Sequence, residues 1–180
     1  MNALVPYSIP VKGLGNGVHL FDFQIDASFF EQFEDSPISE GNFEVRLSFD
    51  KKPDIFVLVF EFSGHMKSDC DRCLESIQLP VAGKEQLLVK ITELELEEEA
   101  DVVYLSSFVH ELNVAKYIYE YICLAIPMHR VYDCEKDEKA PCNVDILKYI
   151  NGASDTTIDP GTEESENPFW TALKDKFKEN

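Results

Sequence analysis

From position 20 the chain reads Leu-Phe-Asp-Phe-Gln-Ile-Asp, apolar and polar residues in turn, which predicts a strand with one buried face. Phe43-Glu-Val-Arg-Leu-Ser-Phe49 alternates strictly and predicts a second strand. After the polar turn Asp50-Lys-Lys-Pro-Asp54, residues 55–62 form a denser apolar run that starts a third strand, carried on through Gly64-His65-Met66 to Cys70. Two such runs with a short link predict a hairpin. Residues 77–81 and 86–91 predict two further strands. Between the first two strands, residues 28–33 carry three Phe and predict a short helix capped by Ser28 and broken at Ser36-Pro37.

Past residue 101 the period changes. Val114, Tyr117, Ile118, Tyr121, Ile122 and Ala125 recur at helical spacing and mark one apolar face. Asn113 stands where an N-cap belongs, and Pro127 ends the helix because the residue before a proline is pushed out of the helical region. Residues 130–142 are polar, and 146–150 predict one more helical turn. Residues 152–167 are rich in acids, Ser and Thr and too poor in apolar groups to build a core. The end, Pro168-Phe169-Trp170-Thr-Ala-Leu173 followed by three lysines, predicts a short amphipathic helix. The pattern therefore predicts an α+β fold: an antiparallel β-sheet meander or partial barrel with one main amphipathic helix and a short C-terminal helix. Residues 1–150 form one domain, 151–167 an acidic flexible linker, and 168–180 the terminal helix.

Composition supports an ordinary core, with 44% hydrophobic and 12% aromatic residues among 180. The net charge of −18 is unevenly spread. Residues 93–101 hold six acids and residues 155–166 five, with no Lys or Arg in either run. No Lys/Arg cluster of the kind that grips phosphates stands out. The acidic runs read as solvated loop and tail, with binding of a basic partner as the functional alternative. No apolar run approaches the roughly 20 residues that cross a bilayer. The first seventeen residues lack a basic start followed by an apolar stretch. A cytoplasmic protein with reduced thiols is expected.

The candidate chemistry is in the cysteines. Cys70-Asp-Arg-Cys73 is a C-x-x-C pair at the end of a strand, and Cys134 and Cys142 follow some sixty residues later. Two close pairs separated by a long insert are one way to gather four thiolates around Zn²⁺, although seven residues between Cys134 and Cys142 demand a longer loop than a usual knuckle. Thiol redox or sensing by Cys70 and Cys73 is a second reading. It is weakened because such sites use a helix N-terminus after a strand, whereas residues 74–80 read as extended. Four unrelated cysteines are the third. Cys123, beside the apolar stripe of the helix, reads as a small buried hydrophobe. His129 stands five residues before Cys134 and is a substitute ligand or a surface histidine; His65, in the extended run before Cys70, reads as structural, and His19 and His110 have no partner pattern. No G-x-S-x-G elbow occurs, and no pair of carboxylates stands out among 34 acids, so the sequence gives no argument for an enzyme. Phe169, Trp170 and Leu173 are candidates for a partner-binding helix, the alternative being a lid on the core.

The order of these features resembles the YceD family of large ribosomal RNA subunit accumulation proteins. The resemblance rests on Cys70-Asp-Arg-Cys73-Leu74 after a strand, an acidic loop, and a helix ending Ile122-Cys-Leu-Ala-Ile-Pro127-Met-His129, where the family has a similar Leu-Ala-Leu-Pro run. It continues with one or two cysteines, an acidic stretch, and Asn167-Pro168-Phe169-Trp170 with Leu173 and a lysine-rich end. It implies a non-enzymatic role in accumulation or processing of large-subunit ribosomal RNA and in ribosome assembly. The implied partner is ribosomal RNA or a large-subunit ribosomal protein, engaged directly or indirectly, with no membrane and no small-molecule substrate. A closed four-sulfur zinc site at Cys70, Cys73, Cys134 and Cys142 would then be structural.

Overall fold

The computed structural model describes residues 3–93, 102–133 and 141–154. The chain divides into two compact units, 1–143 and 144–180. In the first, β1 (Ser8–Ile9) is followed by β2 (Gly17–Ile25), α1 (Ala27–Phe30), β3 (Gly41–Lys51), β4 (Ile55–Asp69), β5 (Ser76–Thr92), β6 (Val102–Ser106), β7 (Leu112–Asn113) and α2 (Ala115–Leu124). The second unit contributes α3 (Val144–Ser154), which includes the helical turn expected at 146–150. Of the linker and terminal helix read from the sequence, residues 155–180 lie outside the described residues.

The expected meander is present as an α+β fold. β2, β3, β4 and β5 pair in chain order, each antiparallel to the next. Two features differ from the sequence reading. Residues 77–81 and 86–91 belong to one strand of 17 residues, β5, because the unbroken 15-residue β4 runs opposite and supplies partners from Asp69↔Ser76 to Ile55↔Lys90. Within the expected gap at residues 82–85, Gly83 is a packing device. Gly83 pairs with Phe62, and an added Cβ would lie 2.5 Å from that ring. Gly64 plays the same part on β4, where a Cβ would overlap the Asn42 carbonyl and Phe43. Secondly, β6 joins β5 in parallel, Leu88↔Val102 to Thr92↔Ser106. Val102-Val-Tyr-Leu105 has the β-branched and aromatic composition of a strand and pairs with the last five residues of β5 on the edge opposite β4. The sheet is open, with β2 and β6 at its edges.

Alternation places one face of the sheet in the core. Phe43, Val45, Leu47 and Phe49 of β3 and Phe56, Leu58, Phe60 and Phe62 of β4 are buried. α1 and α2 cover this face. The α1 cap is Asp26 rather than Ser28: its carboxylate accepts the Ser28 N–H at 3.0 Å and the Ser28 hydroxyl at 2.6 Å. The Ser28 hydrogen bond, followed by further N–H donors, holds the Asp26 pKa below the ordinary carboxylate value. Phe29 and Phe30 turn inward, and the Phe30 and Phe43 rings stand 5.8 Å apart. α2 buries Ala115, Ile118 and Ile122, sets Tyr121 edge-on to Phe60 at 5.3 Å, and stacks Tyr119 on Phe33 at 3.9 Å. Asn113 acts at the helix start as expected, one residue earlier than the formal cap. Its Oδ1 accepts the Ala115 N–H, while its Nδ2 donates to Leu4 O and Ser8 Oγ and so ties α2 to the β1–β7 pair.

The other face is polar at its centre. Asp22, Arg46, Glu61 and Lys84 stand in one register row across β2 to β5, alternating in sign. Arg46 Nε is 2.9 Å from Asp22, and Lys84 pairs with Glu61. Opposite charges set directly across strands fix the register, since a one-residue slip would bring the buried face outward.

Candidate functional site

Cys70 follows the last residue of β4 and Cys73 lies in the connection to β5. The connection folds back tightly. The Cys70 N–H donates to the Glu75 carbonyl and the Leu74 N–H to the Cys70 carbonyl, each at 2.8 Å. Leu74 has φ +58°, a left-handed conformation that costs a non-glycine residue roughly 1–2 kcal/mol. Such strain persists where the surroundings over-determine it, and here the result is a knuckle that turns two sulfurs inward. Cys70 and Cys73 are each 0% exposed, and both are free thiols.

The surroundings of the Cys70 sulfur are prepared for negative charge. Burial alone raises a thiol pKa. Backbone N–H groups of Tyr132, Arg72 and Cys73, joined by the Cys73 thiol, outweigh it and hold Cys70 below the ordinary value of 9.0. Two of these donors come from the knuckle itself. The third comes from the segment after α2, which is fastened alongside. The Asp71 N–H donates to the Arg130 carbonyl at 2.8 Å, and the Arg130 N–H donates to the Asp71 carboxylate at 2.7 Å. The Arg130 guanidinium lies 3.6 Å from the same carboxylate and donates to the Ser68 hydroxyl at 3.3 Å.

The strand corner and the chain beyond the helix are therefore joined as far as Tyr132, two residues short of Cys134. Cys134 itself lies outside the described residues. Cys142 is disulfide-bonded, so its sulfur is not a free thiolate in this structure. Among the described residues no group of three or more His, Cys, Asp or Glu side chains is placed to hold a metal ion. The knuckle supplies two sulfurs of a donor set and no more. His129 and His65 are exposed, and the half-buried Cys123 thiol contacts Tyr119 on α2, its pKa raised by burial. Phe169, Trp170 and Leu173 lie outside the described residues.

Sequence reading missed Asp71, Arg130 and Tyr132. The signal available was weak: Asp71 is one of the two residues inside the C-x-x-C, and Arg130 stands just past the helix-ending Pro127. Asp71→Ala is expected to cost about 1 kcal/mol, the worth of the hydrogen bond it removes. It should also speed amide hydrogen exchange at Tyr132 while the β3 and β4 amides keep their protection. Unchanged exchange at Tyr132 would show that Asp71 does not fasten the segment.

No helix among the described residues is long and apolar enough to cross a membrane. No curated protein and no solved structure matches the chain. Residues 58–176 match the model of the family described as large ribosomal RNA subunit accumulation protein YceD. That span runs from within β4 across the knuckle, α2 and the Asp71–Arg130 fastening to residue 176, and covers well over half of the chain. With the knuckle near the start of the matched span and two thirds of its length matched, the chain belongs to the YceD family of large ribosomal RNA subunit accumulation proteins.

Proposed function

We propose that this chain is a cytoplasmic, non-enzymatic factor that supports accumulation and processing of large-subunit ribosomal RNA during ribosome assembly. In this reading Cys70, Cys73, Cys134 and Cys142 form a structural zinc site. Membership in the family supports the role. The observation that supports the metal is the Cys70 sulfur, buried and facing three backbone N–H donors, because thiolates bind Zn²⁺ and oriented N–H groups stabilise them. Four sulfur ligands leave no open position on the ion, so such a site holds structure and does no chemistry. The Cys142 disulfide must first be opened. In a reducing compartment small-molecule thiols supply the two electrons and release both sulfurs. The full burial of Cys70 and Cys73 opposes the redox reading, since exchange requires an accessible sulfur.

The charge of −18 favours a basic protein of the large subunit over bare RNA as the direct contact, because phosphates are repelled by an acidic body. Protein purified with a reductant and without chelator is expected to carry about one zinc per chain by elemental analysis, the stoichiometry of a closed four-ligand site. A metal-free preparation that folds and stays folded would remove the zinc site. If its cysteines also reacted rapidly at neutral pH, the redox reading would replace it.

A further inference from the structure

We propose that the free edge of β2 receives an extended, lysine- or arginine-rich peptide segment as an added strand. Among the described residues β2 pairs only with β3. It is nine residues long, and its register runs one-to-one from Gly17↔Lys51 to Ile25↔Phe43 with no bulge. It contains no proline and no lysine. Bulges, prolines and lysines are the devices by which folded proteins keep an exposed edge from pairing. The other edge strand, β6, has only five residues.

The edge is also apolar on both faces. Val18 and Leu20 are 63% and 65% exposed on the outer face. On the inner face Phe21 and Phe23 are half-buried, whereas their β3 partners Leu47 and Val45 are fully covered. Phe23 already lies against the Tyr7 ring at 5.6 Å; an added strand would continue the main-chain ladder and cover Val18, Leu20 and Phe21, which is how strand addition combines affinity with side-chain preference.

Charge selects the occupant. Residues 13–45, which hold β2, α1 and the chain between them and β3, contain seven acids and no Lys or Arg; two of the acids, Asp22 and Glu40, are paired with Arg46 and Lys67. The nearest cation on the outer face, Arg46, is already engaged by Asp22 at 2.9 Å. A second copy pairing through β2 would set two such acidic segments side by side, and an RNA strand would meet the same repulsion. A basic segment gains from both the edge and the charge. The matched family span begins at residue 58, beyond β2 and β3, so this edge lies outside it. The proposal rests on the part of the reading above in which the direct partner is a basic protein.

The test uses the full chain and a labelled peptide of alternating lysine and valine long enough to match β2, with an aspartate–valine peptide as control. The lysine peptide is expected to bind saturably, to weaken as salt is raised, and to slow amide exchange in β2. Leu20→Lys, at an exposed position, should weaken it by about tenfold or more, and Val18→Lys should do the same if circular dichroism shows the first variant misfolded. Absence of saturable binding, unchanged affinity in the folded variants, or binding that leaves β2 exchange untouched would each overturn the proposal. So would a wild-type dimer that Leu20→Lys converts to monomer, or protection of β2 by an RNA oligonucleotide. Failure here, with large-subunit ribosomal RNA still dependent on the protein, would remove this edge and leave the role standing.

Discussion

Phe60→Ala is expected to destabilise the protein by about 3–5 kcal/mol, the cost of emptying a fully buried aromatic site. Phe60 is 0% exposed, pairs in register with Leu47, and meets Tyr121 of α2 edge-on at 5.3 Å. Its ring lies at the junction between sheet and helix. Neighbours on β4 cannot swing into the space, because Leu58 and Phe62 are held in their own register positions on the same face. At roughly 3 °C per kcal/mol for a chain of this size, the thermal midpoint should fall by about 10 °C or more. Urea unfolding checks the figure. A loss below about 1 kcal/mol would show that α2 does not seal this face of the sheet.

The second large effect is expected at the knuckle. If zinc holds it, the free energy of binding the ion is part of the free energy of folding, and structural zinc sites bind with roughly 10 kcal/mol or more. Cys70→Ser or Cys73→Ser should then abolish zinc content and cost at least about 3 kcal/mol, again about 10 °C in midpoint. A chelator should lower the midpoint of the wild-type chain and leave both variants unmoved. The alternative gives a different pattern. Cysteines that are merely buried would make Cys→Ser costly through lost packing, but chelator would then have no effect on either protein.

Much of the fold was legible because alternation is a direct record of burial. Phe43 to Phe49 faces inward at every second residue, and the helical stripe Val114, Ile118, Ile122 is the buried face of α2. Reading failed where tertiary pairing overrides local signals. Residues 82–85 look like a gap between two strands, but a long partner strand and the Phe62 ring against Gly83 hold them within one. The parallel attachment of β6 has no local signature, since it depends on the path the chain takes back to the β5 edge opposite β4. The knuckle shows the same division. C-x-x-C announces two sulfurs that can converge, and its position at the β4–β5 corner followed from the strand pattern. That Asp71 and Arg130 fasten the chain after α2 beside it follows only from the fold, because the two residues are 59 positions apart. The left-handed Leu74 was likewise invisible, since leucine does not advertise positive φ as glycine or asparagine does.

These features describe a protein whose central corner organises structure. Two buried sulfurs, the strained turn that aims them and the Asp71–Arg130 fastening all hold β4, β5 and the chain beyond α2 together. The two sulfurs are shielded from solvent, and the family to which the chain belongs is described by large ribosomal RNA subunit accumulation. The most direct test of that role is the ratio of large-subunit to small-subunit ribosomal RNA in cells depleted of this protein. The ratio is expected to fall on depletion and to return when the wild-type chain is restored. A ratio unchanged by depletion would contradict the role in large-subunit ribosomal RNA accumulation.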